Sequence, residues 1–230
     1  MNPADEPLAP HRGDALLLID VQVDFLPGGQ LAVPAGDRVL PALNRAIDVF
    51  VACGLPIVAT RDWHPADHCS FVAQGGPWPP HCVVDTPGAA FASGLKLPAR
   101  SLVVSKATTI ERDERESYSG FAGTALAATL RDAGVERLVV GGLATDYCVL
   151  QKVLDALSLG FAAVVLRDGV AAVDVHPGDG ERALARMAQA GARLVDSDSL
   201  TRAPQAPPGS AGSGASSAAT SSGGAGAASR

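Results

Sequence analysis

Cys148 has the setting of a nucleophile. It lies in Arg137–Leu157, RLVVGGLATDYCVLQKVLDAL, where an apolar run at Leu138–Val140 breaks at Gly141 and Gly142. A helical pattern follows, with Val149, Val153 and Leu157 on one side. A cysteine where a helix begins faces unpaired backbone N–H groups and a partial positive charge, which favour thiolate over thiol. Such a residue needs a proton acceptor and gains from a nearby cation. Asp20 directly follows the apolar run Ala15–Ile19, a poorly solvated place that suits a general base. Asp24, in the same DVQVDF segment, reads as a turn cap instead. Lys106 stands just beyond the run Leu102–Val104. Alone it would be an ordinary solvated lysine. Beside Asp20 and Cys148, all at the carboxyl ends of expected strands, it completes one site.

A second constellation suits a metal. Asp62 and His64 flank Trp63, so in extended chain a carboxylate and an imidazole point the same way. His81, in Trp78-Pro79-Pro80-His81-Cys82, offers a third ligand, and three ligands leave room for water or substrate. A closed zinc site of His68, Cys69, His81 and Cys82 ranks low, because adjacent side chains project apart. His68 stays open as an extra ligand or as a partner behind the ligands.

These residues need a frame. Expected strands are Ala15–Ile19, Pro56–Ala59, Leu102–Val104, Leu138–Val140, Ala163–Leu166 and Arg193–Val195. Expected helices are Arg38–Ala52, Phe121–Ala133, Asp146–Leu159 and Asp179–Ala190. Apolar strands alternating with helices indicate an α/β fold, a mostly parallel six-stranded sheet covered on both faces. Ligands in such folds gather beyond the carboxyl ends of the strands, where the candidates lie. With 230 residues, 47% of them apolar, the chain fits one soluble domain at 14–202. Residues 1–13 read as a flexible arm and 203–230, rich in Gly, Ala and Ser, as a disordered tail. A net charge of -6 leaves no basic footprint for nucleic acid or an anionic membrane. No run is long and apolar enough to span a bilayer, and MNPADEPLAPHRGD does not read as a secretion signal. Four cysteines therefore read as free thiols in a cytoplasmic protein.

The set resembles the nicotinamidases of the isochorismatase-like cysteine hydrolase superfamily. Six pieces occur in that family's order: DVQVDF, RDWHPADH, WPPHC, SK, YSGF and GLATDYCV, spread from Asp20 to Val149. The resemblance implies a three-layer, doubly wound α/β/α domain and a catalytic triad of Asp20, Lys106 and Cys148. It implies one divalent metal ion (zinc, iron or manganese) on Asp62, His64 and His81. It also implies a cis peptide at Leu143–Ala144, whose Ala144 N–H joins that of Cys148 in an oxyanion hole. Phe25, Trp78 and Tyr118 match the aromatic positions of the family's nicotinamide pocket. The expected reaction is amide hydrolysis of nicotinamide, and of pyrazinamide, through a cysteine thioester, serving NAD salvage in the cytoplasm. The alternative is a related amidohydrolase for another small amide or carbamoyl compound. A homo-oligomer stays open, and the charged segment between Lys106 and Tyr118 has no assigned role.

Overall fold

The short apolar runs become one parallel sheet in the computed structural model, which describes residues 7–109 and 118–201. Its strands are β1 (Asp14–Ile19), β2 (Ile57–Asp62), β3 (Leu102–Lys106), β4 (Arg137–Leu143), β5 (Ala162–Ala171) and β6 (Arg193–Val195). They lie in the order β3-β2-β1-β4-β5-β6, and every pairing is parallel. The longer helices, which cover the sheet, are α1 (Leu40–Cys53), α2 (Leu126–Asp132), α3 (Leu150–Ser158) and α4 (Asp179–Gln189).

Strand pleating divides the core in two. Leu16 and Leu18 of β1 pack with Leu43, Ile47 and Phe50 of α1 on one face. Leu17 and Ile19 turn to the other face, where Leu130 of α2, Val153 of α3 and Met187 of α4 cover them. Each such side chain taken from water stabilises the fold by about 1.5–3 kcal/mol, so neither face survives uncovered. Helix α1 shows how sequence sets an element. Leu43, Ala46, Ile47 and Phe50 form its buried stripe, Pro41 sits in its first turn, and Gly54 ends it at φ 67°.

The chain runs outward from β1 to β3, then returns to β4 and proceeds the other way. The two directions part between β1 and β4, which opens a crevice beyond their carboxyl ends.

Strands β2, β3 and β5 run past their expected ends, to Asp62, Lys106 and Ala171, and three other departures have a visible reason. Strand β4 does not break at the glycines: it continues through Gly141 and Gly142 to Leu143. Gly142 pairs with Ile19 at φ 132°, and a Cβ there would lie 2.1 Å from the Ile19 carbonyl oxygen. The glycines serve close strand approach. Helix α2 starts five residues later than the expected Phe121, because side-chain hydroxyls take the backbone groups first. Ser119 Oγ accepts the N–H groups of Phe121 and Ala122, and Thr124 Oγ1 donates to Gly120 O. The expected helix Asp146–Leu159 is a π-helical turn at Thr145–Val149 followed by α3.

Within the expected arm, Leu8 is buried and bridges Leu200, while residues 1–6 lie outside the described part. The expected tail and residues 110–117 of the charged segment lie outside it too. Among the described residues, no helix is long and apolar enough to cross a membrane.

Candidate active site

Four strand ends converge on the crevice. Asp20 follows β1, Asp62 ends β2, Lys106 ends β3, and Cys148 sits in the π turn after β4. In that turn the Val149 N–H donates to Ala144 O at 3.0 Å, five residues back, a wide loop of helix that presents Cys148 to the crevice. The Leu143–Ala144 peptide is cis. Asp20, Asp62, Lys106 and Cys148 are all buried.

Lys106 joins the group. Its Nζ donates to Asp62 Oδ1, lies 3.3 Å from Asp20 Oδ2, and reaches Cys148 Sγ at 3.6 Å. Thr60 Oγ1 holds the other Asp20 oxygen at 2.6 Å. Burial works against the charge on Lys106, yet Asp20 and Asp62 outweigh it and hold the ammonium well above its usual range. Burial likewise opposes the Asp62 carboxylate, but Lys106 and His64 keep it ionised. Cys148 differs from expectation. Burial pushes its thiol up to about 12, more than Lys106 and Lys152 pull it down. The resting side chain is a thiol, and a base must take its proton.

Beside this group, Asp62, His64 and His81 bring ligand atoms within 4.8 Å of one another. His64 Nδ1 faces Ala107 O at 3.1 Å and His81 Nδ1 faces Pro79 O at 2.8 Å. A carbonyl only accepts, so each Nδ1 carries the hydrogen and each Nε2 is left with a lone pair for a metal. Burial also keeps His81 neutral, as a ligand must be. The loop carrying His81 is anchored by Asp24, whose Oδ2 accepts the Cys82 N–H at 2.7 Å. Gln22 fixes Asp62 in turn, accepting its N–H at 2.7 Å and donating to its carbonyl at 2.8 Å. The donor set, its tautomers and its backing fit a divalent ion.

His68 stacks on His64 at 4.1 Å and bonds Ser70 Oγ through Nδ1 at 2.7 Å. Burial lowers it to about 4, so its ring is neutral, but it stands outside the ligand group of the other three. A His68, Cys69, His81 and Cys82 site does not assemble among the described residues. A second cluster, Asp20, Asp62 and Cys148, already encloses the Lys106 ammonium, which supplies the positive charge there.

A cleft opens beside both groups, reaching Cys148, Asp62, His64 and His81. Phe25, Trp78 and Tyr118 line it, as do Ala144 and Tyr147. Trp78 Nε1 donates to the Tyr118 hydroxyl at 3.1 Å, and the Tyr147 ring meets Trp78 edge-on at 5.4 Å. The site thus combines a thiol, an acid–lysine pair, a metal-ligand set and an aromatic wall.

Comparison with known proteins places this arrangement. The family model described as the isochorismatase domain matches residues 14–199. The chain belongs to the isochorismatase family. Within that family it is 41% identical to the nicotinamidase of Escherichia coli, over 78% of this chain and 93% of the relative. It is similar to the pyrazinamidase of Pyrococcus horikoshii in complex with zinc, at 48% identity and a TM-score of 0.75. That alignment covers 80% of this chain and 99% of the other. It is also similar to PnC1 from L. infantum in complex with nicotinate, at 39% identity and a TM-score of 0.76. There the coverage is 85% of this chain and 98% of the other.

The fold thus brings Asp20, Asp62, Lys106 and Cys148 together with His64 and His81 at the carboxyl ends of the strands, while Asp24 and His68 stand behind them. Two neighbours escaped notice. Tyr147 precedes Cys148 directly, and its place beside the nucleophile was the available signal. Lys152 is fully buried against Asp20, and its four-residue spacing from Cys148 was the only hint.

Proposed function

We propose that the protein is a nicotinamidase, releasing nicotinic acid and ammonia from nicotinamide through a thioester on Cys148, and that it accepts pyrazinamide too. One observation carries this reading: Lys106 links Asp20, the metal-ligand residue Asp62 and Cys148 beneath an aromatic cleft. The family relationship supports it, since relatives bear the names nicotinamidase and pyrazinamidase.

Asp62, His64 and His81 would hold a divalent metal, which would supply a Lewis-acid anchor for a pyridine nitrogen; the P. horikoshii relative was solved in complex with zinc. Phe25, Trp78 and Tyr118, which line the cleft beside Cys148, would pack against the ring and leave the carboxamide toward the thiol. Asp20 accepts the thiol proton, and Lys106 stabilises the thiolate as it forms. Sulfur bonds to the carbonyl carbon while the oxygen takes the negative charge, facing the Ala144 and Cys148 N–H groups. Losing one such donor costs about 3 kcal/mol in other hydrolases. The C–N bond then breaks as Asp20 returns its proton to nitrogen, and ammonia leaves a neutral thioester. Water, deprotonated by Asp20, releases nicotinate and restores the thiol. The reaction would recover nicotinamide for NAD salvage in the cytoplasm, with residues 14–202 as the catalytic domain.

The test is ammonia release from nicotinamide, pyrazinamide and ureido compounds, with elemental analysis of the same preparation. Fast turnover of the two ring carboxamides by metal-loaded protein is expected. Turnover confined to ureido or carbamoyl compounds would overturn the assignment.

A further inference from the structure

Lys152 is fully buried, and the reaction set out above does not use it. It lies in α3 four residues beyond Cys148, so its side chain runs along the same side of the helical segment into the site. Its Nζ donates to Asp20 Oδ2 at 3.0 Å and to Tyr118 O at 3.3 Å. Gly120 makes room for the stem: a Cβ there would stand 2.6 Å from Lys152 Cε. Ser119 Oγ donates to Asp155 Oδ2 at 2.6 Å and fastens this segment to α3.

Asp20 already has a cation in Lys106, at 3.3 Å. One carboxylate needs one counter-ion, and a second buried ammonium adds desolvation and repulsion. Lys106, however, is shared with Asp62 and Cys148. Lys152 is closer to Oδ2 and serves no other carboxylate among the described ion pairs. With Thr60 on Oδ1 and Lys152 on Oδ2, both oxygens are held whichever way Lys106 is drawn.

We propose that Lys152 is a positioning residue that fixes the Asp20 carboxylate toward the Cys148 thiol while Lys106 is pulled toward the metal-ligand residue Asp62. For its turnover assay the proposal rests on the nicotinamidase reading. Its action is through Asp20: proton transfer from Cys148 requires one orientation of that carboxylate, and a small misplacement of a reacting group costs about 100-fold.

The test is Lys152→Met, which keeps an unbranched stem beside Gly120 and removes the charge and the donors. The expected result is kcat on nicotinamide lower by about 100-fold, with KM within about threefold and metal content unchanged. Alkylation of Cys148 by iodoacetamide, followed by peptide mass without substrate, should slow about tenfold, and not slow further in an Asp20→Asn background. A kcat within about threefold of the parent overturns the proposal, as does a loss carried by KM or equal slowing of alkylation in the Asp20→Asn background. If Lys152→Met lacks a cooperative urea transition, Lys152→Gln is judged by the same results. Failure of both to fold makes Lys152 a structural residue and overturns the proposal. A parent that releases no ammonia from nicotinamide refutes the proposed function alone, because the alkylation comparison needs no substrate.

Discussion

Asp24 never touches the ligand group, yet Asp24→Ala should cost metal affinity. Its Oδ2 accepts the Cys82 N–H at 2.7 Å, and Cys82 directly follows His81. Cys82 is fully buried and held at φ 45°, a left-handed conformation that costs about 1–3 kcal/mol and needs outside support. Removing the carboxylate loses a hydrogen bond to a charged group and strands a buried N–H, together worth about 1.5–3 kcal/mol. If about 2 kcal/mol of that falls on holding His81 in place, the metal dissociation constant rises about 30-fold. Residues that back metal ligands show losses of about 10–100-fold, which brackets the figure. The assay is chelator competition for zinc, with urea denaturation to confirm that the variant folds. At saturating zinc, kcat should return to within about threefold of the parent, since no reacting group has changed. Asp24→Asn keeps an acceptor oxygen and should lose less. A folded Asp24→Ala protein with parental zinc affinity would refute the reasoning.

Three further outcomes follow from the site and its frame. His64→Ala should reduce metal content to background and raise KM for nicotinamide steeply; unchanged metal content would remove His64 from the ligand set. Gly142→Ala would put a Cβ 2.1 Å from Ile19 O and 2.6 Å from Ile19 N, both unyielding backbone, so a loss of more than about 4 kcal/mol in urea denaturation is expected. The Cys148 thiol is raised from 9.0 to about 12, so the folded state keeps its proton where the unfolded state loses it. Its contribution to stability is complete below about pH 9 and is lost as pH rises toward 12. The parent should therefore lose about 1 kcal/mol per pH unit more than Cys148→Ala across that alkaline window, measured by urea denaturation at each pH.

The sequence made the strand ends legible because buried parallel strands are apolar throughout, so Asp20 and Lys106 stand out where those runs stop. Cys148 was legible for the same reason, but its π turn was not: a helical pattern does not show how its first turn is wound. Gly141 and Gly142 read as a break because paired glycines usually mark turns, whereas the need here comes from Ile19 of β1 lying against Gly142 and from Leu43 and Gly169 lying against Gly141. Asp24 was legible as an acceptor of backbone N–H groups, but its partner Cys82 is 58 residues away. Lys152 was the hardest. Lysines are mostly solvated, and its carboxylate partner lies 132 residues earlier in the chain. The thiolate expected from the helix start and Lys106 gives way to a thiol, because the depth of burial was not visible in the residue pattern.

The central claim is that Cys148 does the covalent chemistry on nicotinamide. It is tested most directly by ammonia release from nicotinamide with the parent and Cys148→Ala side by side, at equal metal content. The expected result is one ammonia per nicotinate from the parent and none above background from the variant. Ammonia release by Cys148→Ala within about tenfold of the parent would contradict the covalent mechanism, since loss of an attacking nucleophile costs far more than that.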